Sequence, residues 1–293
     1  MKNIEELKYW VGLAGMSGLG RKRFKLLKQY FGSVKSIWEA RKSQLEQTGL
    51  NRKLIEEWDN WKRNYDLEKG MEEVNKRLIK VITIEDKKYP KLLKEVDIAP
   101  FILFVKGKVE ILNENCLAVV GTRKITEYGK SAVKKLVRDL VKENLVIVSG
   151  LARGVDSWAH RVCLGNKGKT IAVLGHGLDR IYPRENIRLA EEIVKSGGAL
   201  VSEYPVNYSI NRGNFPARNR IVAGMSLGVL IIEGAHRSGT KITANWAADF
   251  GREVMAVPGP INSQQSQAPA DLIKQGAKLV NSAEDVMEEL RIS

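Results

Sequence analysis

Between residues 116 and 257, short apolar runs recur with longer amphipathic stretches between them. The runs span 116–120, 145–149, 170–174, 199–202, 228–232 and 253–257. Most are nearly continuous in apolar residues, as expected for strands buried on both faces of a parallel sheet. The stretch 126–143, with Glu, Lys and Arg along one side, carries helical spacing. This alternation predicts an α/β fold with a doubly wound, extended Rossmann-like and mostly parallel sheet. In such a fold, ligands sit beyond the carboxyl ends of the strands.

Upstream the period changes. Leu7, Trp10, Val11 and Ala14 recur at helical spacing, and a turn at Gly18-Leu19-Gly20-Arg21-Lys22 feeds Phe24, Leu27 and Phe31. An echo at Gly49-Leu50-Asn51-Arg52-Lys53 feeds Leu54, Ile55 and Trp58. The spacing predicts a helical domain over 1–65 with helix-hairpin-helix turns. Such turns either offer amides to a DNA phosphate or only pack. Residues 66–293 form the second expected domain. Its first part, 66–110, contributes strands at 78–84 and 101–105 that extend the sheet.

Candidate chemistry collects where the strands end. The first run delivers Gly121, Thr122 and Arg123; the second delivers Ser149, Gly150 and Arg153. Ahead of the fifth come Arg212, Gly213, Asn214, Phe215, Arg218, Asn219 and Arg220. After it come Ser238, Gly239, Thr240 and Lys241, where a small-residue turn opens a helix. Amides at a helix start favour an anion. From Tyr204 to Lys241 there are five Arg or Lys against one acid, Glu233. Phe215 among these arginines can stack on a base or belong to the core.

Composition narrows the partner. With 293 residues and a net charge of +14, the chain points to a polyanion, nucleic acid before an anionic membrane surface. No run approaches 18 apolar residues, and the N-terminus lacks the apolar core of a signal peptide. Two cysteines imply neither a disulfide framework nor a metal site and fit a reducing cytoplasm. Three histidines show no metal-ligand spacing. Neither a dinucleotide fingerprint nor a P-loop is present, since Thr240 stands where the P-loop requires Lys. No cofactor and no catalytic residue is expected. Glu203 and Glu233, taken as ending neighbouring strands, either pair in acid–base work or orient Arg153 or Arg218. His160 and Asp156 read as a packed histidine and a helix cap.

Taken in order, several motifs resemble the DprA (Smf) family of DNA-processing proteins. They are Val120-Gly121-Thr122-Arg123, 148–156, Ile181-Tyr182-Pro183, 202–205, 215–220, Ser238-Gly239-Thr240 and Val257-Pro258-Gly259-Pro260. The resemblance implies a homodimer that binds single-stranded DNA, protects incoming DNA and loads the RecA recombinase in natural transformation. It also implies a SAM-like N-terminal domain and DNA contacts at Arg123 and Arg212. Two departures stand out. Ala268-Pro269-Ala270-Asp271 replaces the family's Gly-x-Asn, and the winged-helix domain that ends many members is not expected here. The rival is a nucleoside-monophosphate phosphoribohydrolase on a related fold. Against it, the turn 234–240 lacks the Glu that follows in those enzymes.

Overall fold

A computed structural model describes residues 4–236 and 238–291. Six helices come first: α1 (Ile4–Ala14), α2 (Arg21–Phe31), α3 (Val34–Glu39), α4 (Lys42–Glu46), α5 (Arg52–Asn64) and α6 (Leu67–Lys76). Side chains mark where several begin. Ser33 accepts the amide of Ser36, Asn51 that of Leu54, and Asp66 those of Glu68 and Lys69. The charged stretch from Asp66 is thus a helix, and it packs on α1.

Nine strands follow among the described residues. They are β1 (Lys80–Thr83), β2 (Ile102–Gly107), β3 (Cys116–Val120), β4 (Val146–Ser149), β5 (Thr170–Leu174), β6 (Ala199–Ser202), β7 (Gly228–Ile231), β8 (Glu253–Ala256) and β9 (Lys278–Leu279). They form one sheet in the order β1-β2-β6-β5-β4-β3-β7-β8-β9. From β6 to β9 every pairing is parallel; β2 runs antiparallel to β6, and β1 to β2. The six apolar runs all become strands within a residue at each end. The two-residue β9 was invisible because its length carries no periodicity.

Helices α7 (Lys91–Glu95), α8 (Glu127–Lys142), α9 (Val155–Gly165), α10 (Ile187–Lys195), α11 (Asn214–Gly224), α12 (Gly239–Asp249), α13 (Gln267–Lys274) and α14 (Ala283–Leu290) cover both faces. One core joins the sheet to α8, α9 and α14, and another to α7, α11, α12 and α13. Burial of every residue in β3, β4 and β5 explains their largely apolar sequences, broken only by Ser149 and Thr170.

Strand order departs from sequence order at two places, where β2 lies beside β6 and where β3 lies beside β7. The chain steps outward from β3 through β4 and β5 to β6, and α11 then carries it back to β7 on the far side of β3. This reversal corrects one sequence expectation. Glu203 and Glu233 follow β6 and β7, and three strands lie between them, so they do not end neighbouring strands.

The N-terminal helices share a core with the sheet. Trp10, Leu13, Phe24 and Trp58 belong to the same apolar cluster as Phe104, Leu174 and Leu200. Phe24 stacks on Phe101 with ring centroids 4.4 Å apart. Arg21 donates to the carbonyls of Lys94, at 2.8 Å, and Val96. Within the Gly18–Gly20 turn, the amides of Leu19 and Gly20 bond to Met16 and Gly18. Those two amides are therefore already used inside the turn.

Candidate functional site

The strand-order reversal leaves a cleft of about 360 Å³ beyond the ends of β3, β4 and β7. A doubly wound sheet opens such a crevice where its winding reverses. Gly121, Thr122 and Arg123 line it from β3, and Gly150 from β4. Phe215, Arg218 and Asn219 enter from α11; Ser238, Gly239 and Thr240 enter at the start of α12.

Close backbone approach builds the floor. A side chain at Gly121 would come within 2.6 Å of Val155 and 2.9 Å of the Glu233 carbonyl. That carbonyl accepts the Thr122 amide at 2.7 Å, and the Thr122 carbonyl accepts the Val155 amide at 3.1 Å. Gly154 has φ +78°, and a Cβ there would overlap the Thr122 carbonyl. These contacts lock the three strand-end turns together and aim the starts of α9 and α12 at one space. The dipoles of those helix ends favour an anion, while the Val155 and Ser157 amides of α9 are already bonded to Thr122 and Ala152.

Arg218 supplies the deepest charge. It is 4% exposed, and its guanidinium donates to the Val173 carbonyl at the end of β5 while Nε has no partner. Burial pulls its pKa down to about 10, partly countered by Asp156, while the charge of Arg123 pushes it further down. Asp156 is raised by burial and accepts the amides of Gly150 (3.1 Å) and Ala152 (3.4 Å), so it braces the β4–α9 turn. The cleft therefore holds a dehydrated cation whose charge its surroundings only partly compensate. A phosphate would lower the cost of that burial.

Other sequence candidates lie elsewhere. Ser149 is fully buried and donates to the Val119 carbonyl at 2.7 Å. Arg220 points to the opposite side of α11, where it grips Glu203 through two contacts of 2.6 Å. Lys241 is bound to Asp271 at 2.7 Å, and that carboxylate also meets His236 at 2.8 Å. Arg212 and Gly213 are exposed just ahead of α11. Asn214 begins that helix with a buried, unpartnered side-chain nitrogen. Arg153 stands beside the cleft in a smaller recess, paired with Glu185 at 2.8 and 2.7 Å.

That recess adds a residue absent from the sequence candidates. Tyr182 is 52% exposed, and its ring lies 5.6 Å from that of Phe215. The two rings are tilted by 50° to each other at the mouth of a cationic cleft, where either face suits stacking by a planar base. The Tyr182-Pro183 pair was visible as a motif, but only folding brings it to Phe215.

Neither glutamate considered for acid–base work is free. Glu233 is 2% exposed and accepts both the amide and the hydroxyl of Thr126, at 2.9 and 2.5 Å. It positions α8 and orients neither Arg153 nor Arg218; Glu203 holds Arg220. His160 is buried, as its sequence context suggested, and bonds Thr170 at 2.7 Å. Among the described residues no cluster could hold a metal ion, and no helix is long and apolar enough to cross a membrane.

The sequence matches the family described as DNA recombination-mediator protein A over residues 80–291. A Synechocystis relative called protein Smf is 38% identical and covers 99% of this chain and 74% of its own length. DNA processing protein DprA of Bacillus subtilis is 43% identical, with 72% of this chain and 71% of the relative covered. Among solved structures, DNA processing protein A of Streptococcus pneumoniae superimposes with a TM-score of 0.82 at 36% identity, covering 96% of this chain and 97% of that one. A Helicobacter pylori DNA processing protein A, described by its single-stranded DNA binding mode, gives 0.64 at 30% identity. That match covers 72% of this chain and 96% of the other.

Proposed function

The chain belongs to the DNA recombination-mediator protein A family, and on that premise we propose that it binds single-stranded DNA in the strand-end cleft and passes it to the RecA recombinase. One observation carries the reading: the buried, partly compensated Arg218 sits between two helix starts and beside the Phe215 and Tyr182 rings. Phosphates seat at Arg123, Arg218 and the Ser238–Thr240 turn, and an unpaired base reaches the aromatic rings. A duplex keeps its bases stacked inside and cannot use those rings. The similarity to a protein described by its single-stranded DNA binding supports the same choice. Protection of incoming DNA, action as a cytoplasmic homodimer and transfer to RecA complete the proposal by family membership.

Competition between a single strand and its duplex across a salt series tests it. The single strand should win, and Arg123→Ala should lower the slope of log affinity against log salt by about 0.7. Equal affinity for both forms overturns the proposal. Release of free base from nucleoside monophosphates would instead favour the phosphoribohydrolase reading, which the engagement of Glu203 and Glu233 elsewhere argues against.

A further inference from the structure

Helix α11 separates two clefts. Residues 218 and 219 line the strand-end cleft, while Arg220 lines a pair of grooves on the other side, of about 300 and 490 Å³. The opposite wall of these grooves is the Gly18–Gly20 turn and the first turn of α2. Arg21, Lys22, Arg23 and Arg220 face the larger groove against one acid, Asp97. Arg220 and Glu203 compensate each other in their bidentate pair, so the groove's excess positive charge comes from the first turn of α2.

Helix α2 itself is strongly basic. Arg21, Lys22, Arg23, Lys25 and Lys28 occur in eleven residues with no acid. Lys22, Lys25, Leu26 and Gln29 are exposed at spacings that place them along one face. Lys22 and Lys25 enter no ion pair among the described residues, unlike Lys28, which meets Glu85. A concentrated charge left without counter-charges on the protein attracts a polyanion.

The smaller groove contributes rings. Tyr204 and Tyr208 line it and stack on each other with centroids 4.9 Å apart and planes 26° from parallel. Both lie on the segment leading from β6 to α11, the same segment that brings exposed Arg212 to the start of the helix bearing Phe215. This segment therefore joins the tyrosines of the groove to the start of the helix that lines the first cleft.

We infer that this inter-domain groove and the basic face of α2 form a second single-strand contact, occupied by the same strand after it leaves the strand-end cleft. The inference rests on the reading of the first cleft as a single-strand site. Phosphates track Lys22, Lys25 and the groove cations, and a base extends the tyrosine stack. The amides of Leu19 and Gly20 take no part, being bonded to the carbonyls of Met16 and Gly18.

The test uses the full chain and two oligothymidylates, one of about 4 nucleotides that fits a single cleft and one of about 20 that spans both. Lys22→Ala with Lys25→Ala changes two exposed residues and leaves helix propensity intact. The double variant should bind the short strand like wild type. It should bind the long strand about three- to tenfold more weakly at low salt, with the salt slope reduced by about 0.7 per lysine. Tyr208→Ala should likewise weaken only the long strand. Unchanged binding of the long strand overturns the inference, as does an equal loss on both strands. If wild type fails to bind the short strand, the first-cleft reading falls, while a loss limited to the long strand still supports the second contact.

Discussion

Gly150 lies so close beneath the guanidinium of Arg218 that a single methyl group at residue 150 would overlap it. The contact couples the end of β4 to α11. Arg218 cannot simply swing aside, because it is buried and bonded to the Val173 carbonyl. Gly150→Ala is expected to lower stability by about 1–3 kcal/mol and to weaken binding of a short single strand. Thermal melts and titration of the same preparation check both effects. An unchanged melt with full binding would show that Arg218 has another resting place.

Histidine 160 gives the fold an acid-sensitive point. Thr170 donates its hydroxyl to the Ile147 carbonyl and so accepts from His160 Nδ1, leaving the buried Nε2 without a partner. Burial, reinforced by the nearby Arg218, lowers the His160 pKa to about 3. The unfolded chain takes up this proton below about pH 6.5 while the folded chain does not, so stability falls as pH drops through that window. The slope from this group approaches about 1.4 kcal/mol per pH unit. Asp156, raised by burial, acts in the opposite sense. Comparing wild type with His160→Gln by denaturant melts at pH 7 and pH 5 isolates the histidine, and the variant should lose less stability.

Glu185 restrains a cation at the rim. Its carboxylate holds Arg153 through two contacts beside the Tyr182 recess, and both side chains are more than half exposed. Glu185→Gln should leave the melting temperature nearly unchanged, because an exposed pair contributes little. Single-strand affinity should rise at low salt, with a slope steeper by about 0.7 if Arg153 takes up a phosphate. No change in slope would place Arg153 outside the bound strand's path.

The Phe24–Phe101 stack links the helical segment to the sheet. Phe24→Ala is expected to cost about 3–5 kcal/mol, since a well-packed ring leaves a cavity. A chain starting at residue 78 should melt cooperatively at a lower temperature and self-associate, because Phe101 and the surface around it lose their cover. Sedimentation and calorimetry of that fragment check this. A soluble monomer with the full-length melting temperature would show that the two segments are energetically independent.

The apolar runs by themselves determined the strands, because a strand covered on both faces admits a polar side chain only where it finds a hydrogen-bond partner, as Ser149 and Thr170 do. They also determined that Gly, Arg and hydroxyl residues gather at the carboxyl edge, since chain direction is common to all parallel strands. Charge excess around residues 204–241 pointed from sequence to an anion site, which the proposed function places in the strand-end cleft. What the sequence left open was which arginine faces it. Arg218 and Arg220 are two residues apart on α11, a rotation of about 200° around the helix, so one enters the cleft and the other turns to Glu203. Lys241 reads as a free cation until Asp271, thirty residues later in the chain, is folded against it. The separation of Glu203 from Glu233 likewise depends on strand order, which is decided by how α11 packs across the sheet rather than by any local pattern. Local sequence carries periodicity and charge. The direction of a side chain and the identity of its partner are tertiary facts, set by contacts between residues far apart along the chain.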